Sequence, residues 1–205
     1  MRLLKLVLLL FLTQRVTAQI KVTDVDKNTI PKSIQFKGHI VNAVKYTDSE
    51  GTHLVITTET GIVAGKDTAD QMSNADLYAY CYKVEGNKLT LAWQMHDFFN
   101  DCPLEEVVNY IPGTFAVTDL NNDGKAEVWL MYLVACRSDV SPGSLKIIMH
   151  EGNKKYAMRG ENRVNDLPNK YVGGRYTFDD AFKAGPKPFR DYAQQLWKKN
   201  MFYDK

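Results

Sequence analysis

A mainly β fold closed by one C-terminal helix is what this chain predicts, and three observations predict it. Runs rich in Val, Ile, Thr, Tyr, Phe and Trp recur along most of its 205 residues, bounded by Gly, Asn and Asp turn signals. The order of runs and turns then repeats, which points to two blade-like, four-stranded antiparallel units packed as a sandwich or continued as one curved sheet. Only the last stretch changes to a helical period.

The first residues form a separate element. Met1-Arg2-Leu-Leu-Lys5 is a basic start, Leu6 to Leu12 a short apolar core, and Val16-Thr-Ala18 a small-residue cleavage pattern. This reads as a secretory signal peptide over 1–18, with the mature chain beginning at Gln19 and forming one domain over 19–205. Gln14 and Arg15 interrupt the apolar run well short of the roughly 20 residues a membrane span needs, so no transmembrane anchor is expected after cleavage. Cleavage removes three of the 26 basic side chains and none of the 24 acidic ones, which leaves a mature chain near minus one. That balance, with dispersed Lys and Arg, gives no basic face for a nucleic-acid partner.

In the first unit, strands are predicted at Ile34 to Tyr46, His53 to Thr60, Leu77 to Val84 and Lys88 to Phe98. Asp48-Ser-Glu-Gly51 divides the first pair and Glu85-Gly86-Asn87 the second. The second unit runs Thr114 to Thr118, Ala126 to Ala135, Ser144 to His150 and Lys154 to Arg159, with Glu151-Gly152-Asn153 as its second turn. The Glu-Gly-Asn-Lys tetrads at 85–88 and 151–154 mark equivalent hairpins of an internal duplication.

The turn between the first two strands of the second unit carries the chemistry. Asp119-Leu-Asn121-Asn-Asp123-Gly124-Lys125-Ala-Glu127 sets oxygen-bearing side chains at positions 1, 3, 5 and 9 around a glycine. Ca²⁺ takes roughly 6 to 8 oxygens at about 2.3–2.6 Å, and alternate residues of a tight loop aim theirs at one centre. Asp119, Asn121 and Asp123 would supply side-chain ligands, Lys125 its carbonyl, and Glu127 would close the shell directly or through water, while Gly124 permits the reversal. The plainer reading, an Asp-Gly hairpin turn that binds nothing, leaves the other oxygens without a use. A helix-loop-helix hand is excluded, because position 12 is Leu130 and both flanks have strand composition. The stretch resembles the calcium loops of FG-GAP and integrin-α type repeats, which link two strands of a β-blade; the resemblance covers residues 115 to 130. The equivalent turn at 48–51 lacks the spaced oxygens, so one ion is expected.

Three cysteines in an oxidising compartment imply one disulfide and one remaining thiol. Cys102 and Cys136 lie at the ends of apolar segments and form the expected pair, although an intermolecular bond is left open. Cys81 sits inside Leu77-Tyr-Ala-Tyr-Cys-Tyr and packs as a small hydrophobe.

Between Glu161 and Gly185 the chain is rich in Asn, Gly and Asp, which reads as a long surface loop. Beyond it, Phe189, Tyr192, Ala193, Leu196 and Trp197 fall at i, i+3, i+4, i+7 and i+8 of an amphipathic helix over 186–201. Its use is either to cover a sheet or to dock on a partner.

Candidate catalytic groups are sparse. Asp97, Asp101, Glu105 and Glu106 near His96 would suit acid and base work on a glycan. Against this, Asp101 reads as the cap of a short helix whose first turn holds Pro103, Glu105 and Glu106. Arg137, Asp139, Ser141 and Lys146 make a second polar cluster within a loop composition. The histidines at 39, 53, 96 and 150 have no zinc-site spacing, and no phosphate-loop, dinucleotide or nucleophile-elbow pattern occurs.

The order Asp101-Cys102, Thr118 to Glu127, Cys136-Arg-Ser-Asp-Val-Ser-Pro142, Lys155-Tyr-Ala-Met-Arg-Gly160 and the Trp197 helix resembles a family of small secreted bacterial proteins labelled surface polysaccharide biosynthesis proteins. The resemblance implies a cell-envelope role with a surface glycan or envelope protein as partner, and brings no catalytic residues. The combined expectation is an exported, calcium-stabilised β module that binds or scaffolds. The alternatives are a polysaccharide-modifying hydrolase or lyase and a subunit of an envelope complex.

Overall fold

The computed structural model describes residues 20–65, 72–168 and 170–204, so the signal segment and the expected start at Gln19 lie outside the described residues. Among these residues the fold is mainly β, antiparallel throughout, with two six-stranded sheets, one two-stranded hairpin and two α-helices.

The first sheet contains β1 (Lys21–Asp24), β2 (His39–Asp48), β3 (Gly51–Glu59), β4 (Val63–Ala64), β5 (Ser73–Glu85) and β6 (Lys88–Cys102). Its spatial order runs from β1 through β2 and β3 to β5, with β4 and β6 both pairing β5. The second contains β7 (Glu105–Tyr110), β8 (Ala116–Thr118), β9 (Glu127–Arg137), β10 (Ser144–Glu151), β11 (Lys154–Glu161) and β14 (Tyr176–Phe178). There β14, β11, β10, β9 and β7 lie side by side, and β8 also pairs β9. The chain order β2-β3-β5-β6 matches β8-β9-β10-β11, each a hairpin, a longer link and a second hairpin. The predicted pair of four-stranded units is present, each extended by two further strands.

Side chains alternate between the faces of a strand, and both faces of β9 are apolar. Val128, Leu130, Tyr132 and Val134 face the first sheet and share a core with its Val44, Tyr46, Val55, Leu77, Ala79, Trp93 and Met95. Trp129, Met131 and Leu133 face the other way, with Tyr156 and Met158 of β11. Burial on both faces is why this segment reads as an unbroken apolar run. The sheets therefore pack as a sandwich.

Helix α2 (Lys187–Asn200) covers the outer face of the second sheet. Pro186 precedes its first residue without a side-chain capping bond, and Pro188 lies in its first turn, where a missing N–H is harmless. Phe189, Ala193 and Trp197 are buried at 0, 0 and 2 % exposure, and each large ring so removed from water contributes about 2–3 kcal/mol. On the first sheet a 3₁₀ turn at Lys27–Thr29 introduces the segment whose Ile34 is buried with Leu54 and Ile56.

Three expectations are corrected. The first strand begins at His39, not Ile34, because Ile34 packs on the sheet's outer face instead of pairing within it. The short helix proposed after Asp101 is strand β7: Val107 and Val108 pair with Ala135 and Val134 of β9, which outweighs the helical start that Pro103 and two acids suggest. The long loop over 161–185 is instead the hairpin of β12 (Arg163–Leu167) and β13 (Lys170–Gly173), then β14 and helix α1 (Asp180–Ala184). Gly173 and Gly174 take positive φ at the reversal, and buried Asn162 holds the segment by accepting from the Gly143 amide and donating to the Tyr203 carbonyl.

Polar ties cross between the sheets. The buried Glu59 carboxylate accepts from the Tyr110 amide at 2.6 Å and from Asn109 Nδ2 at 3.0 Å. The Cys102–Cys136 disulfide forms as expected, with Cα atoms 5.8 Å apart, and closes a loop worth about 3–4 kcal/mol on the chain-entropy model. Cys81 is a free buried thiol whose pKa burial raises to about 12.

His150 of β10 lies flat against Trp93 of β6, ring centroids 4.1 Å apart, and neither ring nitrogen has a hydrogen-bond partner. Burial, then the charge of Lys155, lowers its pKa from 6.5 to about 4. A depressed folded value means that the neutral ring's contribution is present above about pH 6.5 and lost as pH falls through about 4. Urea unfolding should show the wild type losing about 2–3 kcal/mol more than His150→Phe between pH 7 and pH 4. Parallel pH profiles would mean that His150 titrates as an ordinary histidine.

Candidate metal centre

The loop between β8 and β9 is built by its own short polar side chains. Asp119 accepts from the amides of Asp123 and Gly124, both at 3.1 Å, and Asn121 Oδ1 accepts from the same Asp123 amide at 3.2 Å. Asp123 Oδ1 in turn accepts from Lys125 N at 2.9 Å. Asn and Asp compete for backbone amides in this way, and the competition winds the loop. Asn122 and Gly124 supply its two left-handed residues, φ 57° and 82°. The oxygens of Asp119 and Asn121 thus converge on one amide, with Asp123 adjoining them.

Glu127, the first residue of β9, is fully buried. Its carboxylate accepts from the Thr118 hydroxyl at 2.6 Å and from Leu120 N at 3.0 Å. Burial raises its pKa to about 7 against the relief of those donors, and the negative charges of Asp119 and Glu151 add to the rise. Such a carboxylate is poorly compensated as an anion, and a nearby cation would favour its charged form. Lys125 sends its side chain away to Glu50 at 2.6 Å.

Among the described residues, no three His, Cys, Asp or Glu side chains are grouped as a metal-holding cluster. The donor set of the predicted site is wider than those residue types, since it includes the Asn121 amide oxygen and the Lys125 carbonyl. Being all oxygen, it suits a hard cation, and the crowding of Glu127 by Asp119 and Glu151 is a second feature that fits one. Held there, Ca²⁺ would be bound by Asp119, Asn121 and Asp123, with Glu127 beneath them.

The loop also joins the two units. Gly124 O accepts from Ser49 N at 2.8 Å and Asp48 Oδ2 accepts from Ala126 N at 3.0 Å, while within the loop's own sheet Asn121 donates to Glu151 at 3.2 Å. Asp48 Oδ1 also accepts from Glu50 N at 2.8 Å, so one nearly buried carboxylate braces its own turn and the loop of the other sheet. Sequence reasoning treated Asp48, Glu50 and Glu151 as turn residues only. The available signal was their place at hairpin ends of duplicated units, which stack at the same edge of a sandwich.

The other candidate groups lie in different surroundings. Asp97 points between the sheets to Lys146 at 2.6 Å and the Tyr132 hydroxyl at 2.8 Å. Asp101 is exposed at a left-handed position, φ 54°, with its amide on Asn74. Glu105 is exposed, whereas Glu106 is buried with both oxygens unpartnered and its pKa raised chiefly by burial. Arg137 reaches the Ser141 carbonyl and Asp204, and Asp139 accepts from Ser141 N, while Lys146 stands apart from this group.

Compared with family models, curated proteins and solved structures, the chain matches none of them.

Asp48→Ala would strip two amides of their acceptor and should lower stability by about 1–3 kcal/mol, measured by urea unfolding, whereas Asp48→Asn should lose less. Equal stability of all three proteins would show that the turn does not brace the loop.

Proposed function

We propose that this chain is an exported β module whose 119–127 loop takes a Ca²⁺ ion, and that it works in the cell envelope by binding or scaffolding. The observation that carries the reading is the position of the loop. Its backbone and side chains are tied both to the 48–50 turn of the first sheet and to Glu151 of its own sheet. A cation held by Asp119, Asn121 and Asp123 would stiffen a junction between two sheets, not a detached surface turn. The ion's role in this reading is rigidity.

Export rests on the basic, apolar and small-residue organisation of residues 1–18. Among the described residues no helix is long and apolar enough to cross a membrane. The link to surface polysaccharide rests on the Cys136 to Pro142 and Lys155 to Gly160 segments and the family they resemble. Binding is favoured over glycan cleavage by the different surroundings of Asp97, which is bonded to Lys146 and Tyr132, Asp101, which is exposed, and Glu106, which is buried, since paired acid and base groups must face one bond.

Calcium at about 100 times its dissociation constant would stabilise the native state by about 2.7 kcal/mol, or roughly 5–10 °C in Tm for a chain of this size. Differential scanning fluorimetry should record that rise for the wild type and none for Asp123→Ala. A melting curve unaltered between calcium and chelator disposes of the calcium reading.

A further inference from the structure

The 560 Å³ groove between Gly143 and Thr177 lies on a part of the second sheet that the first sheet leaves open. Its floor is the inward side of β10, β11 and β14. Strand register sets Lys146 directly opposite Arg159, and Arg159 opposite Thr177. Like charges facing each other across a ladder repel, and a third cation, Arg175, lines the same groove.

Gly160 makes this crowding possible. A Cβ at that position would lie 1.9 Å from the Arg175 carbonyl, so only glycine lets the chain carrying Arg175 close against β11 beside Arg159. Asp97 neutralises Lys146 at 2.6 Å. Among the described residues neither Arg159 nor Arg175 has a carboxylate within 4.0 Å of its guanidinium. Glu161 is the one acid lining the groove. Lys155, four residues before Arg159 on the same side of β11, has its pKa lowered by burial and then by the charge of Arg159. The field here is therefore positive.

We propose that this groove is a binding site for a small ligand carrying carboxylate or phosphate groups, held by Arg159 and Arg175 with Lys146 at its inner end. Guanidinium groups present paired N–H donors that match the two oxygens of either anion, and an arriving anion supplies the carboxylate or phosphate oxygens that Arg159 and Arg175 lack. The proposal gives the binding-module reading above a face and a ligand class, and so rests on that reading while standing apart from the calcium site.

The test is calorimetric titration at low salt, with and without calcium, using tetragalacturonate as the carboxylate probe, inorganic pyrophosphate as the phosphate probe and maltotetraose as the neutral control. Saturable one-site binding is expected for at least one anionic probe, and which one binds identifies the source of the anion. Arg159→Gln and Arg175→Gln should each weaken it about tenfold, and Lys198→Gln on α2 should not. On the unaltered protein, the bound anion should protect Arg159 and Arg175 from phenylglyoxal. The site is overturned by the absence of anion binding, equal binding of maltotetraose, equal weakening by Lys198→Gln, or no protection of the two arginines. Because calcium is varied separately, a missing calcium effect on melting leaves the anion result readable.

Discussion

Burial of β9 on both faces is the constraint on which the rest of the structure depends. Its even-numbered side chains from Val128 to Val134 fill the core shared with the first sheet, and Trp129, Met131 and Leu133 fill the one beneath α2. A strand in that position tolerates no slip, because a shift of one residue would exchange every side chain between two differently shaped cores. The register of β7, β8 and β10 follows, and with it the placement of the loop that enters β9 and the disulfide near its far end.

Two buried carboxylates fix how the ends of this stack meet. At one end Glu59 accepts from Tyr110 and Asn109 across the sheets. At the other, Asp48 serves the amides of both Glu50 and Ala126. Buried carboxylates with two donors each add geometric selectivity that apolar packing alone lacks, since they are satisfied in one alignment of the two sheets. Glu127 is the exception: its donors only partly offset its burial, and its carboxyl is raised to about 7 beside two further acids. That local imbalance supports the cation proposed for the loop.

Much of the architecture was legible because periodicity reports burial directly. Alternating or continuous apolar runs marked the eight strands of the duplicated units, and the Phe189 to Trp197 stripe marked the helix. The failures share one cause. Pro103, Glu105 and Glu106 have the local chemistry of a helix start, but Val107 and Val108 find partners on β9, and tertiary pairing overrides local preference. The polar 161–185 stretch looks like a loop because its strands are short and its anchors, Asn162 and Gly160, act through contacts with residues distant in the chain.

By itself the sequence determined the fold class and the set of oxygens in the 119–127 loop, since these follow from residue type and spacing along the chain, and it pointed to Cys102 and Cys136 as the pair while leaving open whether they bond within one chain. Only the tertiary structure decided that the loop abuts the 48–50 turn, that Asp97 is engaged by Lys146, and that Arg159 and Arg175 share a groove. Those relations join segments tens of residues apart, and their distances are set by how two sheets stack, which no local pattern encodes.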